Sequence, residues 1–431
     1  MANRRIVTVR SDIALGIGSM VGAGIFALLG EAAALAGSAV WVSFLMAGVI
    51  ALLTGYSFVQ MGIRFPSRGG VVEYLVQSYG AGLFSGACSI LFYIAQLIGM
   101  SMIALAFGKY STKLVGIVDH LDLYQRVFGS SLIVVLTALQ LVGSRLIGGI
   151  QRIIVITNLV LLSIVAVGLS SFADGARLSL ETWPSSTPIL GSLALTFFAF
   201  TGFAVISNSV EDMEHPKKDL PRAMFTTIVV VIALYLVLAV AVTAAVSHEQ
   251  LTSSGPLLLI EAARSAFGNL GYTALLISAI VATVTCINGG LFGTTGITYA
   301  LAEKGQLPSR FGQEIRASTR GLTISAAAAL IMLNSMDLAT IASLGSATSL
   351  LVYFLVNLGA FRVIRGSAPK RFLIFLSVLA CLFAILVWFV YTIKYAPVSL
   401  AIFASFLVIA LISEGLMQRL RGRKVVAHTR P

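Results

Sequence analysis

The first long apolar segment of the sequence carries four glycines within nine residues, Gly16, Gly18, Gly22 and Gly24. Glycine costs a helix about 1 kcal/mol relative to alanine and accepts backbone conformations that other residues resist. A break at Gly22-Ala23-Gly24 would free backbone N–H and C=O groups. Within a membrane, such groups are tolerated where they line a cavity or bind a ligand. Close helix packing also explains the pattern, because Gly18 and Gly22 form a small-xxx-small pair.

A second interruption lies in the sixth apolar segment, which reads LTFFAFTGFAVISNSV. Thr201-Gly202 stands in its middle, and a polar loop with Pro216 and Pro221 follows. Hydrophobic segments interrupted at corresponding places in two halves of a chain indicate the substrate site of an inverted-repeat transporter. The pair of interruptions therefore favours a binding site over packing alone.

Groups typical of catalysis or metal binding are missing from the sequence. Its histidines fall in predicted loops or in the tail, at His120, His215, His248 and His428. No histidine pair or Cys/His cluster has metal-ligand spacing. The cysteines, Cys88, Cys286 and Cys381, lie in apolar stretches and are interpreted as small core residues. We therefore expect no enzyme activity, no catalytic residues, no metal site and no cofactor.

Composition predicts a membrane protein. Apolar residues make up 58% of the 431 residues, charged residues make up 11%, and the mean hydropathy is +0.97. Soluble domains carry roughly 25% charged residues. The net charge of +12 comes from short basic segments between apolar stretches, which does not indicate nucleic-acid binding. The basic N-terminal segment lacks the pattern of a cleavable signal peptide.

The apolar stretches have the length of membrane-crossing helices. Twelve spans are predicted, at about 12–36, 39–63, 81–110, 127–143, 153–172, 189–212, 224–246, 271–301, 321–334, 338–361, 372–391 and 398–416. With both termini in the cytoplasm, 23 of the 29 Lys and Arg residues fall in cytoplasmic segments and 6 at or beyond the outer face. Because cationic loops are retained inside, this orientation in the cell membrane is predicted. Contact with membrane lipid follows, whereas the oligomeric state stays open.

Four motifs resemble those of the amino acid–polyamine–organocation (APC) superfamily, in its order and over nearly the whole chain. They are GSMVGAGIF at 18–26, FPSRGG at 65–70, FFAFTGF at 197–203 with EDMEHPKKDLPRA at 211–223, and YALAEKGQLP at 299–308. Within that superfamily the sequence most resembles the prokaryotic broad-specificity amino-acid permeases of the ApcT type.

The resemblance implies an all-α, twelve-helix transporter of the 5+5 inverted-repeat, broken-helix (LeuT-like) fold. Its predicted parts are a first repeat at 1–172, a second repeat at 189–361, and the last two spans with a basic tail at 372–431. The implied function is secondary active transport of an amino acid by alternating access, with a small-molecule amino acid as the partner.

The resemblance also assigns a substrate site. Main-chain amides of Ala23 and Gly24 would bind the substrate carboxylate, and carbonyls near Met20 and in 198–201 would bind its ammonium group. Phe198 matches an aromatic gate over the substrate. The full predicted set is Met20, Gly22, Ala23, Gly24, Phe198, Ala199, Thr201 and Gly202. Ala204 replaces an acid found in relatives that handle arginine or its decarboxylated product, which favours a neutral amino acid.

Asn158 stands where proton-coupled relatives carry a lysine, and asparagine does not titrate. Three explanations are open. Its carbonyl oxygen could ligate a sodium ion together with first-span oxygens and Thr283 or Thr285, or Glu31 could carry the coupling proton instead. In the third, the protein exchanges substrates without an ion, so the coupling ion is Na⁺, H⁺ or none.

Other functions on the same fold are weighed against this one. An ion-uncoupled amino-acid or amine exchanger needs no change in the substrate site. An inorganic-ion transporter is disfavoured by the PKKDLPRA loop and the amino-acid-type first span. A membrane enzyme or a non-transporting sensor has no supporting group of residues. The charged loop at 211–222 is either solvated or supports closure of the inner gate, as it does in the superfamily.

Overall fold

The computed structural model describes residues 8–22, 24–142, 147–303, 307, 309–315 and 318–421. Fifteen α-helices are present in these residues: α1 Val9–Val21, α2 Ile25–Ala36, α3 Val40–Arg64, α4 Val71–Tyr79, α5 Leu83–Val115, α6 Leu121–Val142, α7 Ile147–Ser170, α8 Ser186–Phe198, α9 Pro216–Ala245, α10 His248–Ser253, α11 Leu258–Glu303, α12 Arg320–Ser335, α13 Leu338–Val363, α14 Ala368–Tyr395 and α15 Pro397–Arg421. The predicted all-α fold class is confirmed.

Short elements connect these helices. Turns of 3₁₀-helix lie at Gly37–Ala39, Gly175–Leu178, Leu180–Thr182, Thr201–Asn208, Val210–Asp212, Gly255–Leu257 and Ser309–Gly312. The two-residue strands β1 Glu314–Ile315 and β2 Ser318–Thr319 pair antiparallel, with Glu314 opposite Thr319. Helix starts are capped as the sequence suggests: Thr8 accepts from the Ser11 amide and Asp337 from the Thr340 amide.

Ten segments of the described chain are long and apolar enough to cross a membrane. This number differs from the predicted twelve at two places. Ile25–Arg64 joins α2 and α3 into one segment of 40 residues, and α12 has 16 residues, fewer than the roughly 20 that cross a bilayer core. The count of twelve and the division into two five-span repeats therefore stay predictions.

Helix α11 contains a break that the sequence indicates. Gly268 has φ 63° and ψ −154°, a conformation that glycine adopts without the steric cost of a side chain. This break separates a short helix after Pro256 from the long apolar part of α11. A span was predicted at 271–301, and the observed boundary at Gly268 agrees with where it starts.

The two interrupted segments lie against each other in the interior. Helix α1 packs on the 3₁₀ turn Thr201–Asn208, and α2 packs on α8. Gly99 of helix α5 faces the Phe198 ring, and 83% of the most apolar stretch of α5 is buried. In α15 that share is 17%, so apolar side chains there face outward, as on a lipid-exposed helix. The interruptions are thus enclosed by the most buried helices of the fold.

Candidate functional site

The predicted break in the first span is present. Helix α1 ends at Val21 and α2 begins at Ile25, with Gly22 and Gly24 as the flanking residues. Ala23 lies outside the described residues. The Gly24 amide was expected to be free for a carboxylate, but it donates to the Met20 carbonyl at 2.7 Å. One turn of helix-like hydrogen bonding thus continues past the end of α1, and in this conformation the Gly24 donor is occupied.

The two amides that follow Gly24 differ, because the Ile25 amide donates to the Tyr235 hydroxyl and the Phe26 amide has no backbone acceptor in the described part of the chain. The first amides of an α-helix have no partner within it, and the first bond of α2 runs from Leu28 to the Gly24 carbonyl at 2.9 Å. Among the described residues, neither Ile25 nor Phe26 donates its amide to a backbone carbonyl. Both residues are buried. In the described residues, the unoccupied donor at the start of α2 is therefore the Phe26 amide, two residues after Gly24.

The sixth span is broken at Ala199 and Phe200. Helix α8 ends at Phe198, and the chain resumes as the 3₁₀ turn Thr201–Asn208. At Gly202 the two broken segments touch backbone to backbone. A Cβ atom there would lie 2.7 Å from the Ser19 carbonyl carbon and 2.9 Å from the Met20 nitrogen. Glycine is required here by close approach, which ties the two breaks into one site.

Two tyrosines that the sequence did not single out hydrogen-bond to carbonyls at the two helix breaks. The Tyr235 hydroxyl, on α9, reaches the Met20 oxygen at 2.7 Å and the Ala199 oxygen at 3.3 Å. The Tyr353 hydroxyl, on α13, donates to the Thr201 oxygen at 2.8 Å. Both side chains are fully buried, and a buried tyrosine hydroxyl normally has a partner. In the sequence each looks like one more aromatic residue in an apolar span, so no local pattern identifies its partner.

The ring of Phe198, the predicted aromatic gate, lies in a space bordered by two glycines. The Phe198 carbonyl accepts the Thr201 hydroxyl at 2.8 Å, and its ring is 6% exposed. A Cβ atom on Gly345 of α13 would lie 2.5 Å from that ring, and one on Gly99 of α5 would lie 3.6 Å from it. The ring therefore occupies the space that two glycines leave on neighbouring helices, between the break and α5.

A cavity of about 10 Å³ lies between α1, α7 and α11. It has room for about one water molecule or a small ion. Its lining residues are Gly18, Val21, Gly22, Ile154, Val155, Asn158, Ala282 and Thr285. The structure thus brings together Asn158, Thr285 and the first span, as predicted for the coupling site. The Asn158 side-chain oxygen also accepts the Ser278 hydroxyl.

Two residues predicted for ion coupling lie elsewhere. Thr283 is on the same helix as Thr285 but does not line the cavity, and its hydroxyl lies near the Ala279 and Ile280 carbonyls of its own helix. Glu31 is on α2, half-buried beside the turn at Gly255 and away from the cavity. The packing interpretation of Gly22 is also fulfilled, since a Cβ there would lie 2.8 Å from the Ala282 oxygen.

The charged loop after the sixth span is anchored to the loop after α3. Arg68 pairs with Asp212 at 2.6 Å, and the Arg68 amide donates to Glu211 at 3.3 Å. Hydrogen bonding to Asp212 raises the pKa of Arg68. Because the Arg68 side chain is exposed, such a pair contributes little stability by itself. The pair does join the loop after α3 to the loop after the interrupted sixth span.

The sequence matches a protein family described as amino acid permease over residues 8–413. It is 32% identical to the inner membrane transport protein YbaT of Escherichia coli, over 83% of this chain and 84% of the relative. It is 26% identical to the serine/threonine exchanger SteT of Bacillus subtilis, over 74% of each chain. It is 27% identical to the mitochondrial cationic amino acid transporter 3 of Arabidopsis thaliana, over 83% of this chain and 62% of that one.

Proposed function

The chain belongs to the amino acid permease family and is a multi-pass amino-acid transporter, and we propose that it moves neutral amino acids by alternating access. The observation that carries this proposal is the meeting of two broken helices at Gly202, inside the most buried part of the fold. A site at the junction of two interrupted helices suits a ligand that carries a carboxylate and an ammonium group close together.

The substrate carboxylate binds at the start of α2. The Phe26 amide supplies a donor there, and the positive end of the helix dipole adds to it. The ammonium group binds at the opposite side of the break, near the carbonyls of Met20, Ala199 and Thr201. Each of these already accepts a tyrosine hydroxyl. A carbonyl oxygen has two lone pairs, so the bond to tyrosine orients the Ala199 and Thr201 carbonyls and leaves each a second acceptor position. The Met20 carbonyl also accepts the Gly24 amide, so both of its positions are used.

A neutral side chain fits the residues beside the break. Ala204 and Phe203 are buried and apolar, and a cationic side chain would need a buried counter-charge. The name of the serine/threonine exchanger supports the same substrate class. Another relative is named a cationic amino acid transporter, so its name indicates a charged substrate. A test with both classes of amino acid is therefore decisive.

Alternating access needs gates on both sides of the site. The Arg68–Asp212 pair joins two loops on the predicted cytoplasmic side, and we assign it to the inner gate. The excess of basic residues in those loops supports a cell-membrane location with both termini in the cytoplasm.

Coupling is proposed at the cavity beside Asn158. Three modes are compatible with its lining: a sodium ion held by Asn158 and Thr285, a proton carried by another acid, or exchange without an ion. The printed name of the serine/threonine exchanger supports the third mode.

Counterflow in proteoliposomes tests the function. Vesicles loaded with an unlabelled neutral amino acid should accumulate the labelled one, and vesicles loaded with arginine should not. Sodium and proton gradients imposed one at a time then separate the three modes. If no amino acid is exchanged or accumulated under any gradient, the proposed transport is wrong; accumulation of arginine alone would overturn the neutral substrate.

Asn158→Lys tests the coupling site. A lysine ammonium in the small cavity would reach the first span and titrate there, so we expect transport to become dependent on a proton gradient. Asn158→Met is the matched control, because it has similar length and no charge. Ion dependence equal to that of the wild type in Asn158→Lys would show that this position is not the coupling site.

A further inference from the structure

A carboxyl group lies buried at the cytoplasmic end of α1, apart from the substrate site. Asp12 stands in the first turn of the helix and is 1% exposed. Neither of its carboxyl oxygens has a hydrogen-bond partner among the described residues. Eight residues separate it from Met20, about 12 Å along a helix. In the sequence, Asp12 looks like a solvated acid, because it stands at the edge of a predicted span.

The groups that face Asp12 do not neutralise it. Asp219 on α9 and Asp212 after the broken sixth span both act on it as like charges. The Ser209 hydroxyl lies beside it, but it donates to the Ile206 carbonyl at 2.9 Å.

Within the residues that the structure describes, no cation compensates for these acids at Asp12. Arg68 is the cation bound in this region, and it pairs with Asp212. The other helices packed on α1 are α2, α7 and α11. None of their described side chains brings a charge that acts on Asp12. The carboxyl group is therefore buried among acids and without a counter-ion.

An ionised carboxylate in such surroundings is costly. Removing one from water without a partner costs several kcal/mol, and a buried group avoids this cost by taking up a proton. The cost disappears when water reaches the group. The protonation state of Asp12 is therefore tied to whether this end of α1 stays packed.

The position of Asp12 ties it to the gate. Helix α1 is separated from α2 by the break, so it can move without carrying α2 with it. Its packing is tight, since a Cβ atom on Gly16 would lie 2.7 Å from both Ile206 and Thr227. Opening the inner gate requires this contact to separate, and the separation would hydrate Asp12.

We propose that Asp12 is a proton-binding site of the cytoplasmic gate, protonated while the gate is closed and ionised when it opens. The proton passes between the carboxyl group and cytoplasmic water, and nothing else is exchanged. This proposal rests on the alternating access proposed above, because it needs a gate that opens. Cytoplasmic acid then favours the closed gate, since the closed state binds more protons.

The test is exchange of a neutral amino acid in proteoliposomes of one orientation. The pH on the cytoplasmic face is varied over about three units while the other side is held constant. Wild-type exchange should fall on acidification, by up to about tenfold per pH unit within the titration range. Asp12→Asn should exchange at a rate that does not respond to this pH. Glu214→Gln, which removes an exposed acid of the same face, should respond as the wild type does.

Each other outcome has a meaning. A wild-type pH response that persists in Asp12→Asn, or a wild type without one, overturns the proton site. Absence of wild-type exchange at every pH overturns the proposed transport instead. Should Asp12→Asn fail to fold, Asp12→Glu must keep the response and Asp12→Ser must lose it.

Discussion

Gly24→Leu should abolish transport and lower substrate affinity by at least about a hundredfold, or about 2.8 kcal/mol. A Cβ atom at this position would overlap the Tyr235 hydroxyl and lie 2.7 Å from the Met20 oxygen and 2.8 Å from the Ala199 oxygen. The Tyr235 hydroxyl and these two carbonyl oxygens therefore surround the side of Gly24 where a side chain would be. Any side chain must push them apart, and the substrate loses the geometry on which both of its charged ends depend.

Binding of a labelled neutral amino acid to the purified variant measures this effect directly. The matched control is Gly289→Leu in α11, where a Cβ atom would meet nothing within 4 Å. The control should bind and transport as the wild type does. Wild-type affinity in Gly24→Leu would mean that this glycine serves helix packing and that the substrate binds elsewhere.

Tyr235→Phe should reduce exchange by up to about thirtyfold while leaving the protein folded. The substitution removes one hydroxyl that reaches two carbonyls, at Met20 and Ala199. The hydroxyl has one proton to share between the two carbonyls, and leaving a buried acceptor without its donor costs about 2 kcal/mol. The ring stays in place, since it packs against Phe44 at 5.5 Å and Phe200 at 5.1 Å between centroids.

A second buried tyrosine provides the comparison. The Tyr93 hydroxyl bonds to Ser325 at 2.8 Å, away from both breaks, so Tyr93→Phe should change exchange by little. Thermal unfolding of both variants followed by size-exclusion chromatography shows whether the fold is retained. Equal exchange rates in Tyr235→Phe and Tyr93→Phe would remove Tyr235 from the site.

Much of the site could be predicted from local sequence. A run of glycines in an apolar segment weakens one helix wherever that segment folds, and the same holds for Thr201-Gly202. The first break appears at its glycines, whereas the second begins at Ala199, two residues before Thr201-Gly202. One of the three explanations for Asn158 put it near Thr285 and the first span, and the cavity lies between these residues.

Other parts required the tertiary structure. Thr283 and Thr285 are two residues apart on one helix, and the orientation of that helix decides which of them lines the cavity. The Gly24 amide looked free because helix ends leave donors unpaired, yet it still reaches the Met20 carbonyl. Glu31 is an acid in an apolar stretch, and only the packing of α2 shows that it lies away from the cavity.

By itself, the sequence determined the membrane environment, the helical class, the two places where helices break and the family. Those properties depend on composition and on nearest neighbours along the chain, which folding does not change. The tertiary structure decided which groups meet at the breaks. Tyr235 lies 215 residues from Met20, and Asp12 is buried by segments about 200 residues further along. Hydrogen bonds and burial depend on distances in space, which local sequence patterns do not contain.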